Sequence, residues 1–197
     1  MERGLGRRME SRILIAGRSG SGKQLTSIII SSKRLTLRSA CDSDLDTLHK
    51  IIFSDSEVMS QAFAGKTLSR QESTHFFKNY FDHDGNGKQL GVLVLDHPGT
   101  IIGFAGLVEC RVLGRKDYEI GFVLARKYWG KGYASEIGIA QIEYGLGDAG
   151  CERLLALVSP GNVASKSVLH KIGMIHHSTI ETETRGTRDL YVTQSHP

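Results

Sequence analysis

Between residues 118 and 134 the chain alternates and then breaks. Tyr118, Ile120, Phe122 and Leu124 fall on one side of a period-two pattern, which predicts a half-buried strand. A short basic connection leads into Trp129-Gly130-Lys131-Gly132-Tyr133-Ala134, and a helical pattern over residues 134–146 follows. There Ile137, Ala140 and Tyr144 form one stripe and Ile139, Ile142 and Leu146 an adjoining one, so a wide buried face is expected. Gly138 and Gly145 each cost about 1 kcal/mol against alanine in a helix, which points to close packing at both.

The same reading extends to both sides. Leu35 and Leu37 alternate as a strand, and Asp42-Ser43-Asp44 opens a helix carrying Leu45, Leu48, Ile51 and Ile52 that ends before Met59. Ser69 followed by Glu72 has the form of a capping box and starts a second helix. Its aromatics Phe76, Phe77, Tyr80 and Phe81 are expected to be mainly core, with one or two lining a pocket. Strands around residues 92–95 and 101–108 are joined by His97-Pro98-Gly99-Thr100. Downstream, the continuous apolar run at residues 154–158 predicts a central strand buried on both faces. A helix over residues 163–172 ends at Gly173, and alternating runs near 178–184 and 189–193 predict a closing hairpin that turns at Arg185-Gly186-Thr187.

Composition narrows the class. The chain has 197 residues, 40% hydrophobic and 23% charged, which describes one globular domain. Its net charge of +4 is unevenly placed: residues 1–33 hold seven of the 25 basic residues and two of the 21 acidic ones. The remainder is nearly neutral, so nucleic acid or an anionic membrane is not expected as a partner. A basic N-terminal extension over residues 1–32 and a domain over residues 33–197 are the expected division. Cys41, Cys110 and Cys151 form no paired motif and read as reduced thiols, the alternative being a nucleophilic cysteine. No apolar run reaches the ~20 residues of a membrane span, no secretory leader is evident, and the expected location is cytoplasmic.

Two segments imitate ligand motifs. Residues 17–23 fit the glycine and lysine positions of a phosphate-binding loop, but Gln24 stands where that loop needs a hydroxyl for magnesium. Residues 82–87 copy the first half of a calcium loop, but Leu93 stands at the position of the bidentate glutamate, so a turn is expected. The eight histidines have no metal-ligand spacing, and no metal is expected.

A strand that breaks into a glycine-rich turn and opens a helix leaves backbone N–H groups aimed at whatever sits beyond the helix N-terminus. Gly130 and Gly132 allow close approach and Lys131 adds a positive charge. The stretch reads as an anion cradle or as an ordinary tight connection.

The order β, two helices, three strands, helix, strand, helix, hairpin resembles the Gcn5-related N-acetyltransferase (GNAT) family over residues 33–193. The resemblance is to the branch containing the ribosomal-protein N-terminal acetyltransferases. It is carried by Glu119-Ile120-Gly121, by residues 128–136 (YWGKGYASE), by Asn162-Val163-Ala164-Ser165, and by residues 169–174 (LHKIGM). The resemblance implies an α/β fold: a mixed, mostly antiparallel twisted sheet of six or seven strands with about four helices, splayed between its fourth and fifth strands. It also implies acetyl-CoA as acyl donor and an amine, either a protein N-terminus or a small molecule, as acceptor, in a monomer or homodimer. Backbone N–H groups of Trp129, Gly130, Lys131, Gly132, Tyr133 and Ala134 would hold the coenzyme pyrophosphate. Trp129 stands where the wider family has Arg or Gln, so packing is expected from it. Main-chain groups of Phe122, Val123 and Leu124 would bind pantetheine and the acetyl carbonyl, with Asn162 alongside, and Lys166 or Lys171 would reach the adenosine phosphates.

Acetyl transfer requires a neutral amine. At pH 7 neutralising a lysine of pKa about 10.4 costs about 4.6 kcal/mol, against about 1.1 kcal/mol for an α-amino group near 7.8. Glu119 is the candidate base by position, the alternative being a salt-bridged glutamate at the cleft edge. Many relatives place a tyrosine acid where this chain has Leu169, so Ser165 is the candidate donor to the departing thiolate, the alternatives being a capping role for Ser165 or water as the acid. A silent acyl-CoA-binding module and a nucleotide binder working through residues 17–23 are the competing functional readings.

Overall fold

A computed structural model describes residues 14–15, 26–62 and 65–193. The strands are β1 (Leu14–Ile15), β2 (Thr26–Ser31), β3 (Leu35–Arg38), β4 (Leu90–Leu95), β5 (Ile101–Cys110), β6 (Asp117–Leu124), β7 (Leu154–Val158), β8 (Met174–Thr182) and β9 (Gly186–Thr193). They form one sheet in the order β1-β2-β3-β4-β5-β6-β7-β9-β8. Every neighbouring pair is antiparallel except β6 with β7. The α/β architecture is the expected one, with more strands than the six or seven anticipated.

The additional strands lie at the N-terminal edge. Thr26–Ser31 pairs with β3, with Ile28 opposite Arg38 and Ile30 opposite Leu37, and Ile30 is buried in the core. The sheet therefore starts upstream of residue 33, where the folded part was expected to begin. The phosphate-loop imitation at residues 17–23 lies outside the described residues.

The helices are α1 (Asp44–Leu48), α2 (Ser56–Gln61), α3 (Arg70–Tyr80), α4 (Tyr133–Leu146) and α5 (Val163–Lys171). α1 runs on as a wider π-helical turn through His49–Phe53 before the chain breaks at Asp55, whose carboxylate caps α2 through the Glu57 and Val58 amides. The capping box of α3 is complete: Ser69 N–H donates to Glu72 Oε2 at 2.7 Å and Glu72 N–H to Ser69 Oγ at 3.2 Å. Its aromatic run divides, with Phe77 and Phe81 buried and Phe76 and Tyr80 facing a cavity. On α4, Ile137 and Ala140 are buried as expected but Ile139 is exposed, so the buried face is narrower than its sequence suggested. Gly138 and Gly145 do mark close packing, against Ile172 and Leu154.

Asp82 explains the calcium-loop imitation. Its Oδ1 accepts the N–H groups of Asp84, Gly85 and Asn86 and its Oδ2 that of Gly87, at 2.6–3.2 Å. A carboxylate saturated by four amides organises the turn.

The core is divided. One cluster joins β3, β4 and β5 to α1, α3 and α4 through Leu35, Phe53, Phe77, Phe104 and Ile137. A second joins β7, α5, β8 and β9 through Leu154, Ala156, Leu169, Met174 and Tyr191. The division falls at β6, whose pairing with β7 is the only parallel pairing between strands among the described residues.

Candidate active site

β6 and β7 pair only at Tyr118 with Leu154 and Glu119 with Leu155. Their closed end is latched from both strands. Asp117, with a nearly buried side chain, receives Arg153 Nε at 2.9 Å on one oxygen and Nη2 at 2.7 Å on the other. Arg153's hydrogen bonds hold the Asp117 carboxyl below its ordinary range, against the upward push of burial. Beyond Glu119 the strands diverge, as the fourth and fifth strands were expected to.

Backbone alternation decides which groups face the opening. Ala125 N–H donates to Ile102 O at 2.8 Å, so residue 125 and its alternate Val123 face β5, while Phe122 and Leu124 point the other way. Of the three expected contributors, Val123 thus spends its main chain on the sheet. The Leu124 carbonyl is also occupied, since the Trp129 indole donates to it at 2.7 Å. Trp129 neither packs in the core nor supplies a cation; it is partly exposed and closes the end of β6.

The cradle then forms. Gly130 and Gly132 take φ values of 70° and 79°, which L side chains rarely adopt, and a Cβ on Gly130 would meet open space. α4 begins at Tyr133, and Glu136 N–H donates to Gly132 O at 3.0 Å as the first helical closure. The N–H groups of Tyr133, Ala134 and Ser135 precede it and have no helical carbonyl to pair with. They join the positive end of the helix dipole at the mouth of a cavity of about 650 Å³. Lys171 lines that cavity from α5. Lys131 is placed differently: its ammonium lies over the Tyr128 ring at 5.6 Å. Lys166 is held by Asp189 at 2.5 Å.

Arg34 braces the cradle from the β2–β3 turn. Its Nε donates to Glu136 Oε2 at 2.6 Å, its backbone N–H to Glu136 Oε1 at 2.7 Å, and its Nη1 to the Lys131 carbonyl at 3.2 Å. Its guanidinium also covers the Tyr133 ring at 4.4 Å, and the Ser32 hydroxyl adds a 2.8 Å bond to Glu136. Burial alone would raise the Glu136 carboxyl, but the bonds from Arg34 and Ser32 hold it below its ordinary value. Sequence reasoning missed this brace. Its one available signal is that Trp129 stands where the wider family has Arg or Gln.

A second cavity of about 500 Å³ adjoins the first, and Gln61, Phe122, Asn162 and Ser165 line both. Asn162 is buried, caps α5 by accepting Ser165 N–H at 2.9 Å, and donates to the Gln61 carbonyl at 3.1 Å. It ties α2 to α5 across the opening. Glu119 faces the second cavity with both oxygens occupied, Arg185 donating Nη1 to Oε1 at 2.9 Å and Nη2 to Oε2 at 2.8 Å. The Cys110 thiol in the same cavity is pushed up to about 11 by burial and by the nearby Glu119 and Asp117 carboxylates.

Comparison with known proteins agrees with this geometry. Residues 34–175 match the family described as Acetyltransferase (GNAT) domain. The Bacillus subtilis protein YkkB is 34% identical over 147 residues, covering 75% of this chain and 85% of YkkB. Among solved structures, a GNAT-family acetyltransferase from Bacillus anthracis superposes with a TM-score of 0.68 and 26% identity, covering 83% of this chain and 95% of its own. The fold is also shared with Vibrio cholerae spermidine N-acetyltransferase in complex with CoA and spermine. That likeness has a TM-score of 0.66 and 18% identity, over 82% of this chain and 96% of the other. It is shared as well with the ribosomal alpha-N-protein acetyltransferase RimL in complex with coenzyme A, with a TM-score of 0.65 and 16% identity, over 84% and 96%.

Proposed function

The chain belongs to the GNAT acetyltransferase family, and from that premise we propose that it transfers the acetyl group of acetyl-CoA directly to a primary amine. The observation that carries the proposal is the pair of adjoining cavities meeting at Phe122, Asn162 and Ser165, one opening onto the glycine cradle and the other onto Glu119. The first fits coenzyme A. Its N-terminal α4 amides match a pyrophosphate, and the space beside Gly130, where a Cβ would stand, is open. Pantetheine then follows the Phe122 and Leu124 main chain, and Lys171 takes the adenosine end.

The acceptor enters from the second cavity. The amine nitrogen attacks the thioester carbonyl, the C–N bond forms, the C–S bond breaks, and one proton passes from the nitrogen while the thiolate takes up another. Glu119 keeps one lone pair on each oxygen outside its bonds to Arg185, enough to accept the amine proton through a water. Ser165, on the shared wall, is the hydroxyl available to the departing sulfur. A thiol raised to about 11 stays protonated at neutral pH, which supports direct transfer over an acyl-Cys110 intermediate. Holding amine and thioester together contributes independently of any ionisable group.

Spermidine is the substrate named for one structural neighbour and a ribosomal protein for another, and the acceptor we propose for this chain is an amine of small-molecule or N-terminal type. The test is release of free thiol from acetyl-CoA across a panel of amines and peptides, with mass detection of the acetylated product. Background release with every amine, alongside tight coenzyme binding, would identify a coenzyme-binding module instead.

A further inference from the structure

The walls of the second cavity restrict what it can hold. Phe76, Tyr80 and Phe104 give it an aromatic side, with the Phe76 and Tyr80 rings stacked at 4.8 Å. The charged lining residues are Glu109, Glu119, Arg185 and Arg188. Both carboxylates are already committed. Glu119 gives each oxygen to Arg185, and Glu109 is bonded to Lys116 at 2.8 Å and to Arg111 at 3.2 Å. Among the described residues, an entering polycation therefore meets two guanidiniums and no carboxylate that is not already bonded to a cation.

For an anion the same wall is favourable. Arg185 has five N–H donors, of which two go to Glu119. Arg188 is buried beside it on β9, its Nη1 donating to the Thr187 carbonyl at 2.7 Å. Burial, and then the like charge of Arg185, pull the Arg188 guanidinium below its ordinary value against the weaker opposing pull of the Glu119 and Glu181 carboxylates, and an anion between the two arginines would lessen their repulsion further.

We propose that the acceptor amine carries an anionic oxyacid group, a carboxylate or a phosphate, bound by Arg185 and Arg188, with any apolar or aromatic body laid along Phe76 and Tyr80. The inference rests on reading the second cavity as the acceptor site. It separates this chain from an enzyme built for polyamines.

Matched pairs of amines test it. Phenylalanine is compared with phenylalanine methyl ester, phosphoethanolamine with ethanolamine, and spermidine stands alone. Each is titrated into protein saturated with coenzyme A, and thiol release from acetyl-CoA is followed in parallel. A charge-assisted contact predicts that the anionic member of at least one pair binds about tenfold to a hundredfold tighter than its neutral partner. Which pair discriminates identifies carboxylate or phosphate. Availability of the neutral amine acts in the opposite sense, because a neighbouring carboxylate raises the amine pKa, so a preference for the acid reports the arginines. In Arg188→Met the ratio within the discriminating pair falls toward one. Arg185→Gln, at a half-exposed turn, supplies the same readout if the buried substitution fails to fold. Equal or tighter binding of the neutral members, or a preference for spermidine, overturns the proposal while leaving acetyl transfer intact. Thiol release that stays at background with every amine overturns the transfer reading and this one with it.

Discussion

Asp117 and Arg153 meet through two parallel hydrogen bonds of 2.9 and 2.7 Å at the closed end of the β6–β7 pairing, just before Tyr118 and Leu154 come into register. The pair holds the two strands together at the closed end, so that they part only beyond Glu119 and Leu155. Because Asp117 is held below its ordinary range, its stabilising contribution is fully present above the unfolded value, about 3.9, and is lost as pH falls through the folded value. Asp117→Asn should cost about 3 kcal/mol at pH 7, and the difference from the parent should shrink as pH drops below about 4. Urea unfolding at pH 7 and pH 3 measures both; a loss of equal size at the two values would remove the ion pair as its cause.

Arg34 should matter to the coenzyme more than to the fold. Arg34→Gln removes the brace on Glu136 and Lys131 and should weaken acetyl-CoA binding about tenfold, as expected for one lost charge-assisted contact. Acetyl-pantetheine, which lacks the pyrophosphate, should bind the two proteins alike. Equilibrium titration with both ligands decides the matter, and equal weakening toward each would assign Arg34 a general structural role.

Glu119→Gln retains the shape of the side chain and removes the proton acceptor. Turnover is expected to fall by a factor of about 10²–10³ with the coenzyme dissociation constant unchanged. Loss of coenzyme affinity in step with turnover would instead make the bond to Arg185 an architectural tie.

Gly132→Ala forces a Cβ onto a backbone at φ 79° and should lower stability by about 1 kcal/mol as well as weaken coenzyme binding. Gly130→Ala, at φ 70°, should cost a similar amount through strain and should also weaken coenzyme binding, because its Cβ enters the open space beside the cradle. Thermal unfolding with and without coenzyme A separates the two effects for each variant.

What the sequence disclosed about this chain was local. The Ser69–Glu72 cap spans three residues and the apolar run of β7 five, so both are written in adjacent positions, and both occur as expected. The glycine turn before α4 was legible for the same reason. The partnerships that define the site were not. Arg34 reaches Glu136 across 102 positions and Arg185 reaches Glu119 across 66, and apart from the unusual residue at Trp129 nothing in either neighbourhood marks the other end. The strand at Thr26–Ser31 lies within residues 1–32, whose basic composition points to an extension. It is held by pairing with β3, a partner that one-dimensional periodicity does not reveal. Asp55 breaks the first helical region for a local reason, by capping α2, yet the interruption lay hidden within a continuous helical pattern.

The indole seal on the Leu124 carbonyl has a spectroscopic consequence. Trp129 is the chain's single tryptophan, and it lines the cavity assigned to the coenzyme while held by one hydrogen bond at the end of β6. Intrinsic tryptophan emission from this protein therefore originates at one spot beside the cradle. Arrival of a ligand there changes the solvation of a partly exposed ring, so occupancy can be followed with no attached dye, against a background that the rest of the chain does not contribute.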